Sequence, residues 1–169
     1  MRLAIVLALL AASMTAQKVH EVCAPCHTGP AQDFLVHTHA AKGLSCDGCH
    51  GKSTGHIQAA GGKTPDKVAG PSDQPALCGA CHGLQRKTYE ASKHATVLAA
   101  RTRVRAPTCT TCHGAHAQRN AVSMMAQCRR CHETLPAACD GKPPRVTAKV
   151  ACANCHESHT MAVVKTPAD

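Results

Sequence analysis

The sequence predicts a mostly irregular chain with short α-helices and little or no β-sheet, packed around something other than its own side chains. Three observations predict it. Trp is absent, and Tyr and Phe occur once each in 169 residues, although aromatic rings normally supply the largest buried surfaces of a core. No stretch shows the apolar–polar alternation of a half-buried strand. Twelve of the 13 cysteines fall into six copies of one short pattern.

The first residues read as an address. Met1-Arg2 is a positive start, Leu3 to Ala12 is an unbroken apolar run, and small residues follow. This is the layout of a secretory signal peptide, assigned here to residues 1–16, with 17–169 as the mature domain. The run is too short for a membrane crossing, which needs about 20 residues. The expectation is an exported protein with no stable membrane span, in the periplasm or at the cell surface or beyond it.

The six copies are Cys23-x-x-Cys26-His27, Cys46-x-x-Cys49-His50, Cys78-x-x-Cys81-His82, Cys109-x-x-Cys112-His113, Cys128-x-x-Cys131-His132 and Cys152-x-x-Cys155-His156. C-x-x-C-H is the attachment signature of c-type haem. Thiols three positions apart lie on one turn and reach two vinyl groups on one porphyrin edge. The following histidine then sits under the ring centre, where its imidazole binds iron. Zinc knuckles and redox dithiols also use C-x-x-C, but neither requires a histidine directly after every second cysteine. The expected cofactors are therefore six haem c groups with their iron, which replace the missing aromatic core.

The formal net charge of +9 reads as counter-charge for two propionates on each haem. Nucleic acid is not expected as a partner, since single-strand binding stacks bases on aromatic rings.

The motifs are paired into three two-haem units, about 23–56, 78–116 and 128–159. His27 to His39 and His82 to His94 are each 12 residues, and the only Phe (Phe34) and only Tyr (Tyr89) each stand five residues before the extra histidine. The second motif of the first two units continues into Gly51 and Gly114. The third unit lacks the middle histidine: position 144 is Pro. Helices are predicted over Leu84 to Val104, which is free of Gly and Pro, and over Ala31 to Lys42, ending at Gly43. Gly51 to Pro75 reads as the main linker, and Asp140 to Pro144 as a second break.

Seven histidines lie outside the motifs. His39, His56, His94, His116 and His159 occupy repeat-defined places and are candidate distal iron ligands. His116 and His159 stand three residues after a motif histidine, on its side of the ring, so each would serve a neighbouring haem. His20 is the sixth candidate. His37 is two residues from His39 and is the spare. Met124 and Met125 read as packing. The alternative for the sixth place is an open iron in the third unit. Cys139 is the odd thiol and reads as a small packing or surface residue, with thiolate ligation or an intermolecular bond as alternatives.

The paired motifs, with His39-Ala40 and His94-Ala95 upstream and with Cys112-His113-Gly114-Ala115-His116 and Cys155-His156-Glu157-Ser158-His159, resemble the multihaem c-type cytochromes. They are similar to the periplasmic decahaem carriers of outer-membrane conduits and the pentahaem donors of nitrite reductases. The resemblance implies a bis-histidine haem chain relaying electrons in anaerobic respiration, with a quinol-linked donor, terminal reductase or outer-membrane cytochrome as redox partner. It implies a carrier and not an enzyme. The alternatives are a reductase of nitrogen or sulfur oxyanions at one open haem, and a subunit of an extracellular haem filament.

Overall fold

The computed structural model describes residues 20–100, 105–132, 152 and 156–163. The signal peptide over 1–16, Cys139, Cys155 and most of the third unit lie outside the described residues. Among those described there is no strand, only one isolated antiparallel bridge between His156 and Val163. The helices are short: α1 (Thr28–Leu35), α2 (Thr38–Ala41), α3 (Cys46–His50), α4 (Thr54–Gln58), α5 (Gln74–Gly79), α6 (Gly83–Glu90), α7 (Lys93–Ala99), α8 (Cys109–His113) and α9 (Ala121–Arg129).

The two long helices predicted over 31–42 and 84–104, of which 101–104 lie outside the described residues, are each broken in two. The breaks fall at equivalent repeat positions. The chain turns at Val36-His37, where the His37 N–H donates to Phe34 O at 2.9 Å, and at Ala91-Ser92, where the Ser92 N–H donates to Tyr89 O at 2.8 Å. Each turn starts a new helix whose second residue is the repeat histidine, His39 or His94. Helix propensity favoured continuity, but at each break a buried side chain instead caps a new N-terminus (His37, Ser92). The predicted linker 51–75 likewise contains α4, which carries His56.

Burial follows the same logic. Among the described residues the buried apolar side chains are Ala31, Pro75 and Tyr89, and the buried polar ones are His37, Ser45, Ser53, Ser92 and Thr108. All five polar residues stand at a helix N-cap, of α2, α3, α4, α7 and α8 in turn. Each of those helices carries one of the candidate iron ligands. Helices this short are not stable alone, and their first N–H groups have no partner inside the helix. What the polypeptide buries is thus the set of side chains that start its ligand-bearing turns.

The described residues divide into two compact units. One runs to Val68 and takes in Ala115–Gln118; the other covers Ala69–Gly114 and the described residues from Arg119 onward. In the first, Gln118 explains the excursion of the chain: its Oε1 accepts the Thr38 N–H at 2.8 Å and the Thr38 hydroxyl at 2.6 Å. In the second, α5 packs on α6 and α8, α6 on α7, and α8 on α9. Tyr89 ties α6 to the segment before α8 by donating its hydroxyl to Pro107 O at 2.9 Å.

Candidate functional site

Each described motif closes one helical turn. The histidine N–H returns to the carbonyl of the first cysteine, from His27 to Cys23 at 3.0 Å, His82 to Cys78 at 3.0 Å, His132 to Cys128 at 2.9 Å and His156 to Cys152 at 2.9 Å. In α3 and α8 the motif is itself the helix. The glycine that follows accepts the left-handed conformation of a helix end, with φ 70° at Gly51 and 79° at Gly114, which a side chain would strain. That is the physical content of the repeated C-x-x-C-H-G. In the third unit Glu157 follows the motif, and the left-handed conformation falls on His159, at φ 73°.

The turns bring first cysteines together in pairs. The Cys23 thiol lies within hydrogen-bonding reach of Cys46, Cys78 of Cys109, and Cys128 of Cys152. Burial, reinforced by the neighbouring thiol, pushes Cys23 up and Cys78 and Cys128 up to about 11. Redox dithiols and zinc thiolates are instead activated by a lowered value. Adjacent thiols at the edges of two motifs suit attachment to two neighbouring rings.

The histidines form pairs of one motif member and one non-motif member. Ring centroids lie 5.9 Å apart for His27–His56, 6.0 Å for His50–His116, 6.0 Å for His113–His159 and 6.2 Å for His94–His132, with interplanar angles of 25°, 27°, 27° and 52°. An imidazole–metal bond is about 2 Å. One such bond on each side, plus the distance from each bonded nitrogen to its ring centre, separates two rings by about 6 Å. Direct stacking is tighter, as in His37–His39 at 4.8 Å. Among the described residues no three His, Cys, Asp or Glu side chains converge as a metal cage, so the arrangement is of opposed pairs. The residues fit a flat metal-centred group between each pair.

The second ring nitrogens agree. His50 Nδ1 donates to Lys67 O at 3.1 Å, His56 Nδ1 to Lys63 O at 2.6 Å and His156 Nδ1 to Met161 O at 2.9 Å. A carbonyl only accepts, so the proton is on Nδ1 and the Nε2 lone pair is left for a metal. Burial holds His94, His113 and His116 below the usual histidine value, with His132, then His159 and His82, then His50 lowering them further; Asp33 opposes this at His116. They are neutral imidazoles at neutral pH. Next to α7, a cleft of about 300 Å³ is lined by Ser72 and Glu90 as well as by Pro75, Tyr89, Ala95 and Leu98.

His116 is thus set against His50, and His159 against His113, neither being the motif histidine of its own segment. His20 sits apart from these pairs: its Nε2 is engaged with Ala31 O at 3.0 Å. His39 stands on α2, stacked on His37, and His82 caps α6. Sequence reasoning set His37 aside as the spare histidine. Its Nδ1 accepts the His39 N–H at 3.0 Å, and its ring stacks between Phe34, at 5.5 Å, and His39. Burial, then His39 and His116, keep it neutral, as that bond requires. Ser92 does the corresponding job for α7, accepting the Ala95 N–H at 3.1 Å. Histidine and serine at matched positions hid this shared role from pattern reading.

No curated protein and no solved structure matches the chain. Residues 38–133 match the cytochrome c3 family, a stretch that holds the four motifs from Cys46 to His132 and more than half of the chain. The motif turns, the opposed histidines and this match lead to one conclusion: the chain belongs to the cytochrome c3 family, multihaem c-type cytochromes that carry electrons.

Proposed function

We propose that this chain binds six haem c groups and relays electrons between redox proteins outside the cytoplasmic membrane. The cysteines of each motif would hold a haem by thioethers, and His27, His50, His82, His113, His132 and His156 would be the proximal ligands. His39, His56, His94, His116 and His159 would be distal ligands. The observation that carries the reading is the set of four histidine pairs near 6 Å, each joining a motif to a non-motif residue.

Haem supplies an iron that takes up and releases one electron with no bond made or broken. The residues' part would be to offer the iron an imidazole nitrogen from each member of a histidine pair and to fix those rings from the backbone. Two histidines keep potentials low, since a Met/His set raises them. The paired thiols Cys23/Cys46, Cys78/Cys109 and Cys128/Cys152 would draw ring edges together two by two. The sixth distal place falls either to His20, which would give up its bond to Ala31, or to no residue; only the second provides an open site for reductase chemistry. A quinol-linked donor on one side and a terminal reductase or outer-membrane cytochrome on the other are the partners that suit such a relay. Among the described residues no helix is long and apolar enough to cross a membrane.

Mass spectrometry of the mature protein, made with haem-attachment machinery, tests the proposal. The expected mass is that of the chain plus six haems. The bare chain mass, or bound zinc, would overturn it.

A further inference from the structure

α5 and α8 carry the cysteines of two successive motifs, and one side chain ties them together. Gln74, the first residue of α5, turns its Oε1 onto the N-terminus of α8. There it accepts the Thr108 hydroxyl, the Thr110 N–H at 3.2 Å and the Thr110 hydroxyl at 2.8 Å. Arg119 holds the same turn from its carbonyl side, donating from Nη1 to Thr110 O at 2.8 Å and Thr111 O at 2.9 Å. Thr108 is 3% exposed, so its hydroxyl has little water to turn to if the Gln74 acceptor is removed; the bonds to Thr110 are half-buried.

Cys78 lies four residues after Gln74, one turn along the same helix face, and Cys109 directly follows Thr108. Their thiols are within hydrogen-bonding reach of each other. The Gln74 clamp therefore fixes the separation of two thiols that belong to different motifs. The repeat does not share it. Four residues before Cys23 and Cys128 stand Val19 and Met124, and neither offers an amide oxygen. In the first unit the counterpart of Thr108 is Ser45, 6% exposed, whose Oγ is the one buried side-chain polar atom without a partner among the described residues.

We infer that Gln74 is a positioning residue that sets the separation and tilt of the two haems anchored at Cys78 and Cys109, and with them the rate of electron exchange inside that pair. The inference rests on the haem-carrying reading above. The exchange it controls passes one electron from the reduced to the oxidised neighbour, with no proton moved, and its rate falls steeply with distance. A clamp that stops α5 and α8 drifting apart protects it.

The test compares wild-type holoprotein with Gln74→Met, which keeps the volume and removes the acceptor, and Gln74→Glu, which keeps an acceptor. Haem count is read by mass spectrometry and pair geometry by the Soret circular dichroism couplet of closely packed haems. The expected result for Gln74→Met is a full haem count and a couplet reduced by the share of one of the three thiol-paired couples, with the couplet restored in Gln74→Glu. A fully loaded Gln74→Met with an unchanged couplet would overturn the inference, as would a Gln74→Glu couplet no better than that of Gln74→Met. If Gln74→Met does not mature, Thr110→Val, which removes one of the bonds, is read in the same way: a reduced couplet supports the inference and an unchanged one overturns it. A wild type without attached haem would instead overturn the reading beneath.

Discussion

Replacing Ser92 by Ala removes one oxygen atom and tests whether buried caps hold the ligand helices. Ser92 is 2% exposed and its hydroxyl oxygen accepts the Ala95 N–H at 3.1 Å. Losing an N-cap costs about 1 kcal/mol. Because the site is buried, the Ala95 N–H is left without water as a substitute, a penalty of about 1–3 kcal/mol. Both figures describe the same lost bond and do not add, so the loss is about 1–3 kcal/mol, at roughly 2–4 °C per kcal/mol in the melting temperature of a chain this long. α7 spans seven residues, too short to persist unaided, so the damage should reach His94, whose ring lies 6.2 Å from that of His132. Thermal unfolding of the holoprotein measures the stability, and EPR of the oxidised form counts haems that have lost a strong axial ligand. Ser92→Thr should retain most of the stability. Asn120→Ala is the control: its cap bond to Ser123 is solvent-exposed and should cost about 0.5–1 kcal/mol. A Ser92→Ala protein that melts with the wild type, or that loses less than Asn120→Ala, would refute the reasoning.

His37→Ser should behave nearly as wild type, because Ser caps the equivalent helix at Ser92, whereas His37→Ala should lose about 1 kcal/mol and broaden one low-spin EPR signal. Gly51→Ala should destabilise more than Gly43→Ala. Both positions have positive φ, 70° and 81°, a conformation costing about 1–2 kcal/mol for a side chain, but a Cβ at Gly51 also meets Asp66 Cβ at 3.1 Å while Gly43 faces open space; paired denaturant titrations decide. His116→Ala should perturb the haem attached beside His50, and His159→Ala the one beside His113, as read from assigned NMR of the oxidised protein; loss at the variant's own motif instead would contradict the pairing.

How much of this was legible in the sequence depends on what each residue does. The motif turns were open to reading because their chemistry needs an invariant set of atoms at one spacing. The glycines after His50 and His113 were visible as repeats, and their left-handed φ explains them. That His116 and His159 face motifs other than their own was expected from the three-residue gap, which sets each on the side of its own motif histidine. Which motif each one faces depends on how the chain returns, and no local pattern carries that. Helix length was misjudged over 31–42 and 84–104 because propensity sums over neighbours, whereas the break is decided by single buried caps. His37 and Ser92 differ in type, and Gln74 has no counterpart, so their roles left no repeated letter. Their function lies in a hydrogen bond to a distant or newly exposed N–H, visible only once the backbone is placed.

The central claim is that opposed histidines from different parts of the chain hold flat metal-centred groups between them. EPR of the fully oxidised holoprotein tests it most directly. The account predicts low-spin ferric signals with two imidazole ligands for at least the haems between His27 and His56, His50 and His116, His94 and His132, and His113 and His159. Predominantly high-spin signals, unchanged when His56, His94, His116 or His159 is replaced by Ala, would contradict it.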